Sequence, residues 1–316
     1  MAAVILDGNQ IAAQIKAEAA QELQALAADG IHPGMAVVLV GDESASEMYV
    51  RNKLRACVEL GIYTEKRVLP ETINTAALVD VVQALNARDD VDGILVQLPL
   101  PAHIDVKLVQ LAIDPAKDID GFHPINVGWL ATNRDTLAPC TPAGIVQILK
   151  RSGIPIAGAE AVVIGRSDVV GKPTCRLLMQ NDATVTVCHS KTRDVAAVCR
   201  RGDIVVAAVG RPGFVRREFI KPGATVIDVG INRITDPAEF ERLFPGDAPR
   251  AQQFAAKGSI LAGDVHPEVA KVAGALTPVP GGVGPLTVAM SIVNTLKAAR
   301  LRRRAGVPGW AEKVTC

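Results

Sequence analysis

The chain lacks a charge imbalance, long apolar runs, paired-cysteine motifs and the usual dinucleotide glycine fingerprint. Its 34 basic and 33 acidic residues give a formal charge of +1, so no field for nucleic acid or an anionic membrane is expected. No apolar run approaches membrane-spanning length. Met1–Leu6 is too short for a secretory core and is interrupted by Asp7-Gly8. The six cysteines, at 57, 140, 175, 188, 199 and 316, form no C-x-x-C pair and no metal-ligand spacing, and the five histidines are scattered. These absences predict a cytoplasmic protein with reduced thiols and no metal centre. The Arg300–Arg304 cluster (RLRRR) reads as the basic end of a terminal helix.

What the chain has is length and rhythm. Its 316 residues, 49% hydrophobic and 21% charged, suit two globular domains. A helix capped by Asp7 is followed by apolar strands near 35–40 and 93–96 and a weaker one at 62–69, with helical stretches between them. This β-α-β-α-β order already marks an α/β sheet. Strands at 161–165, 184–188, 203–208 and 224–229 predict a doubly wound parallel sheet in the second half. The proline-rich 136–144 passage places the main boundary near 139, with helical pattern resuming at Ile145. Residues 236–257 read as a charged surface excursion and 277–287 as a rigid loop, with a last helix from Leu286.

The stretch AVVIGRSDVVGKP, residues 161–173, runs from a β-branched strand through Gly165 and Gly171 to a helix with Pro173 in its first turn. Strand, glycine turn and helix can cradle a phosphate, or form an ordinary tight βα turn. An NAD site would carry an acid about 20 residues on. Here His189-Ser190-Lys191 follows the 184–188 strand instead. Ser190 can donate to a 2′-phosphate, or cap the next helix, and Arg166 can supply charge. The residue chemistry favours NADP.

Tyr49 and Lys53 share one helix face at i, i+4, which suits an aromatic ligand with a polar reacting group, or a solvated lysine beside a half-buried tyrosine. Gln97 ends a parallel strand, where open α/β sheets bind ligands, and could orient the lysine amine without forming an ion pair. Asp120-Gly121 lies in the polar, turn-rich segment 117–126.

Tyr49-x-x-x-Lys53, VQLPLP, KDIDGFHPIN, PCTP, GRSDVVGKP, VIDVGIN and TPVPGGVGPLT stand in that order. Together they resemble the bifunctional methylenetetrahydrofolate dehydrogenase/cyclohydrolase family, the bacterial type usually called FolD, over roughly residues 1–300. The resemblance implies two α/β domains with the active-site cleft between them. Residues 1–139 plus 286–316 would form the folate-binding catalytic domain, and 140–285 a Rossmann-like NADP domain. It implies oxidation of 5,10-methylenetetrahydrofolate with NADP to the methenyl form, then hydrolysis to 10-formyltetrahydrofolate. Lys53 would be central to hydrolysis and touch Gln97, Tyr49 would stack on the p-aminobenzoate part of folate, and Asp120 would hold the pterin. Leu98, Pro280, Gly281 and Gly282 would complete the folate site. Gly165, Arg166, Ser167, Gly171, Ser190 and the Ile231 backbone would hold NADP. A homodimer is also implied. A monofunctional dehydrogenase would be expected to lose the lysine, and a non-catalytic NADP- or folate-binding protein would not need the intact set. The departures from the family are the length of 236–257, Asp168 where asparagine is common, and the tail after Arg304.

Overall fold

The computed structural model of the protein describes residues 3–41 and 44–303, without the side chains of residues 44–46, 48 and 49. The tail after Arg304 lies outside the described residues. The chain divides into two compact units, Ala12–Cys140 with Thr287–Cys316 and Met1–Ile11 with Thr141–Leu286. The expected folate domain began at residue 1, and the structure corrects this. Val4–Ile5 pairs in parallel with Ala275–Leu276 at one edge of the other unit's sheet. A two-residue strand is too short for its periodicity to be read.

In the Ala12–Cys140 unit, Gly34–Val40 is the central strand of a three-stranded parallel sheet between Tyr63–Leu69 and Gly93–Val96. It is buried along its whole length, hence its unbroken apolar run. Alternate side chains serve two cores. Met35, Val37 and Leu39 pack with Val50 and Cys57 of the helix Ser44–Leu60 and with Ile292 and Leu296 of the helix Val283–Arg303. Ala36, Val38 and Val40 pack with Leu78, Val82 and Leu85 of the helix Thr75–Asn86.

The other unit carries six parallel strands, in the order Val4–Ile5, Ala275–Leu276, Thr225–Asp228, Ile204–Ala207, Glu160–Ile164, Thr184–Cys188. The chain leaves Glu160–Ile164 toward one edge and returns to its other side as Ile204–Ala207, so the order reverses between these two strands. The crevice beyond their C-terminal ends is where doubly wound sheets bind ligands.

Three further expectations are corrected. The helix after the boundary begins at Cys140, not Ile145, because Pro142 sits in its first turn, where a missing N–H is harmless. The helix expected from Leu286 begins at Val283 for the same reason, with Pro285 in its first turn. Residues 236–257 are not a mere excursion. They form the helices Pro237–Leu243 and Ala248–Lys257, capped by Asp236 and Asp247. Phe240, Leu243 and Phe244 bury themselves against Ile234 and Ile260 of the antiparallel pair Asn232–Ile234 and Ile260–Ala262.

The basic helix end also has a more specific role than dipole complementarity. Asp92 is fully buried and accepts from Gly34 N (3.1 Å), Arg302 Nη1 (2.5 Å), Arg303 Nε (3.1 Å) and Arg303 Nη2 (2.9 Å). Removing the acid strands a buried N–H and two half-buried guanidinium groups. Asp92→Ala is expected to cost about 2–4 kcal/mol, read as a lower urea midpoint. A loss below about 1 kcal/mol would return the cluster to a dipole role.

Candidate functional site

Lys53 lies on the helix Ser44–Leu60, two turns before its end, and is 5% exposed. Its Nζ donates to Gln97 Oε1 at 3.3 Å. Gln97 follows directly on Gly93–Val96 and is held there twice. Its backbone N–H donates to Val38 O at 2.9 Å, and its Nε2 donates to Leu98 O at 2.6 Å. The amide oxygen is thereby fixed toward the lysine. The side chain of Tyr49 lies outside the described residues.

Asp120 is half-buried. Burial pushes its carboxyl up to about 6, the charge of Asp118 adds to that, and the Lys53 ammonium opposes it. Asp120, Asp118, Leu98 and Phe122 line one small depression. Two buried thiols complete the surroundings of Lys53. Burial pushes Cys57 up to about 12, the lysine opposing. Cys140 is raised well above the thiol range by burial first and by Asp120 next. Asp120 is therefore an anionic neighbour in the set, beside two thiols that stay neutral.

The segment 117–126 is polar in sequence but mostly buried, which the turn-rich reading missed. Lys117 is 1% exposed and donates to Asn86 O (2.7 Å) and Arg88 O (2.6 Å), closing the C-terminal end of Thr75–Asn86. Asp118 accepts from His123 N (2.7 Å) and Asn126 Nδ2 (2.9 Å). Asn126 in turn accepts from Thr136 Oγ1 at 2.8 Å. Gly121 has φ +69°, and a Cβ there would stand 2.5 Å from Leu137 O. Asp120 is thus held between two anchored polar residues and a glycine that cannot be replaced without moving backbone. The signal for this was present: three charged residues in four positions cannot all face outward from a loop this close to a buried strand.

In the second unit the glycine turn is sterically determined. Gly165 has φ +121°, and a Cβ would lie 2.1 Å from Ala208 O. A Cβ on Gly171 would lie 2.3 Å from Gly165 O, so the N-terminus of Gly171–Gln180 packs directly on the turn. Two glycines six residues apart do what the denser fingerprint does elsewhere. The turn sits at the strand-order reversal, with a helix N-terminus beside it, and this fits a dinucleotide phosphate. Ser167 Oγ accepts from Val170 N (3.2 Å) and Gly171 N (3.3 Å), keeping its own proton to donate. Arg166 and Ser190 are exposed. Ser190 caps no helix, since Asp194 caps the next one, Val195–Cys199. His189 and Thr192 instead close a tight turn around it, Thr192 N donating to His189 O at 2.8 Å and His189 N to Thr192 Oγ1 at 2.9 Å. Asp168 forms an exposed ion pair with Lys172 one helical turn on, which turns its charge away from a phosphate role. Ile231 is 41% exposed.

Pro280, Gly281 and Gly282 belong to this same unit. Gly281 has φ +102°, and a Cβ on Gly282 would stand 2.6 Å from Pro278 O. A Cβ on Gly8 would meet Gly282 O at 1.7 Å, so the loop lies backbone to backbone against the start of the first helix.

Sequence reading missed two buried carboxylates here. Asp228 accepts from Gly230 N (3.0 Å), Asp264 N (2.9 Å) and Val265 N (3.0 Å), yet burial still pushes it up to about 7. Asp264 is fully buried and gathers four donors, three from the backbone of 209–211 and one from the side chain of Asn232.

Among the described residues, no helix is long and apolar enough to cross a membrane. The family model "Tetrahydrofolate dehydrogenase/cyclohydrolase, catalytic domain" matches residues 6–120. Its companion, "Tetrahydrofolate dehydrogenase/cyclohydrolase, NAD(P)-binding domain", matches residues 139–303. The "Bifunctional protein FolD" of Koribacter versatilis is 62% identical over 303 residues, 96% of this chain and 99% of that protein. A crystal structure of the bifunctional FolD of Campylobacter jejuni is 41% identical with a TM-score of 0.85, covering 95% of this chain and all of that one. The Trypanosoma brucei enzyme, solved with NADP cofactor and inhibitor, is 40% identical with a TM-score of 0.86, covering 96% of this chain and 100% of that one. The chain belongs to the tetrahydrofolate dehydrogenase/cyclohydrolase family.

Proposed function

We propose that Lys53, Gln97 and Asp120 form the reacting set of this bifunctional NADP-dependent methylenetetrahydrofolate dehydrogenase and methenyltetrahydrofolate cyclohydrolase, and that the set serves both reactions. The observation that carries the proposal is a buried lysine hydrogen-bonded to a neutral glutamine, with an ionisable carboxyl close enough to feel its charge. NADP, when bound, supplies the hydride acceptor. Gly165, Gly171, Ser167 and the Ile231 backbone would hold its dinucleotide, and Arg166 and Ser190 its 2′-phosphate.

Oxidation removes hydride from the methylene carbon and leaves a cation shared by two nitrogens. It requires orientation rather than a strong base. Asp120 as carboxylate accepts from the pterin amino and ring N–H groups and fixes the ring. By the family resemblance, Leu98 and Tyr49 would hold the rest of the substrate. In hydrolysis, water attacks the methenyl carbon, a proton leaves the water, and a ring C–N bond opens. Lys53 Nζ is the group that holds or moves that proton, aimed by Gln97. The same reading makes the protein a cytoplasmic homodimer with neither nucleic acid nor membrane as partner.

Lys53→Ala is expected to lower the hydrolysis rate at least about 100-fold while some dehydrogenase activity remains; a full cyclohydrolase rate would remove the lysine from this role. Because the Asp120 carboxyl is raised to about 6, it loses its charge as pH falls through that value. The kcat/KM for folate should drop on that acid side, and Asp120→Asn should be slow at every pH without that limb. An unaltered pH profile in the variant would exclude Asp120. Arg166→Ala should weaken NADP about tenfold or more by loss of a charge-assisted bond and NAD far less, measured as dissociation constants. Equal losses would contradict the 2′-phosphate role.

A further inference from the structure

The backbone at the strand-order reversal has no regular structure to hold it, and one side chain does so. Asp264 is fully buried. Its Oδ2 accepts from Val209 N at 2.6 Å and Gly210 N at 2.9 Å, and its Oδ1 from Arg211 N at 2.9 Å. Three consecutive N–H groups pointing at one carboxylate make a nest of the kind that elsewhere binds a phosphate. Here the nest is filled from within. The same Oδ1 accepts from Asn232 Nδ2 at 3.0 Å, so the start of the strand Asn232–Ile234, which follows the loop after Thr225–Asp228, is tied to the same acid.

Both tied segments bear on the cofactor groups. Ala208 O stands where a Cβ on Gly165 would fall, so the segment leading into Val209–Arg211 backs directly onto the dinucleotide turn. Gly230 and Ile231 immediately precede Asn232, and a Cβ on Gly230 would sit 2.4 Å from Asp264 Cγ. Asp264 is itself pinned, since its N–H donates to Asp228 Oδ1 at 2.9 Å and its carbonyl accepts from Val215 N at 2.9 Å.

We propose that Asp264 is a positioning residue for the nicotinamide cofactor, setting the 209–211 and 230–232 segments to the shape that receives it. The proposal rests on the assignment of Gly165 and Ile231 to the cofactor site. Asp264 touches no phosphate; it presents backbone that NADP and NAD share. An asparagine in its place has only one acceptor atom, and its NH2 group would face N–H donors.

The test uses the full-length protein, with dissociation constants for NADP and NAD and, separately, the hydrolysis of methenyltetrahydrofolate without any cofactor. Asp264→Asn should weaken NADP and NAD by the same factor, about tenfold or more, with the cofactor-free hydrolysis rate held within about twofold. Asn232→Ala, which cuts only one of the ties, should weaken both by a smaller common factor. It decides the matter if Asp264→Asn does not fold. Unchanged constants in the variants would overturn the proposal. So would a loss confined to NADP, or hydrolysis falling in parallel with cofactor binding, which would mark a purely structural acid. If the parent protein bound neither dinucleotide, the cofactor assignment itself would fail and this proposal with it.

Discussion

Where a parallel strand ends, the chain turns out of the hydrogen-bond ladder and its N–H groups lose their partners while still close to the core. This protein meets that constraint with buried aspartates. Asp264 takes the N–H groups after Ile204–Ala207, and Asp228 takes Gly230 N after its own strand as well as the backbone of Asp264 and Val265. In the other unit buried aspartates serve other unladdered backbone: Asp92 takes the N–H of Gly34 where the central strand begins, and Asp118 takes that of His123 before the helix Pro124–Ala131. A carboxylate is the right group for this task, since each oxygen accepts more than one donor and charge-assisted bonds are the stronger kind. The cost of burying the charge is visible in the carboxyls that remain raised, Asp228 and Asp118.

The site inherits its rigidity from this device. Asp120 stands two residues after Asp118, and Gln97 is fixed by backbone and side-chain bonds just past the end of the strand next to Gly34–Val40. Neither group relies on a flexible loop for its place. The glycines work in the opposite sense. Gly230 and Gly263 leave room for carboxylates rather than for a ligand, since a Cβ on Gly263 would lie 1.8 Å from Asp228 Oδ2. A glycine in this crevice is therefore not by itself a sign of a ligand contact.

The strands and the glycine turn were legible because they depend on local pattern. Val162-Val163-Ile164 is buried on both faces and says so in its composition, and Gly165 must be glycine at a positive φ. Lys53 and Gln97 stand 44 residues apart, and their pairing was legible through the chemistry of an amide at a strand end and the family motifs rather than through local pattern. What was missed depends on residues far apart in sequence. Arg302 and Arg303 find Asp92 some 210 residues away, and Asp264 reaches Val209 across 55. Composition sees only a basic tail and a lone acid. The proline-containing helix starts at Cys140 and Val283 were misplaced because proline punctuates a sequence identically whether it ends a helix or opens one.

The electrostatics around Lys53 then follow from which neighbours are ionised. A glutamate at position 97 would form a buried ion pair and hold the lysine proton tightly. Gln97 offers an acceptor without charge, so the amine is oriented but not captured. Cys57 and Cys140 stay neutral because burial raises both thiols. That leaves Asp120, whose carboxyl burial raises to about 6 and which is still mostly ionised at pH 7. On the reading proposed above, that charge is what accepts from the pterin, and a carboxyl raised much further would be neutral and lose the ring. Burial raises Asp120, Asp118 reinforces the rise, and the lysine tempers it.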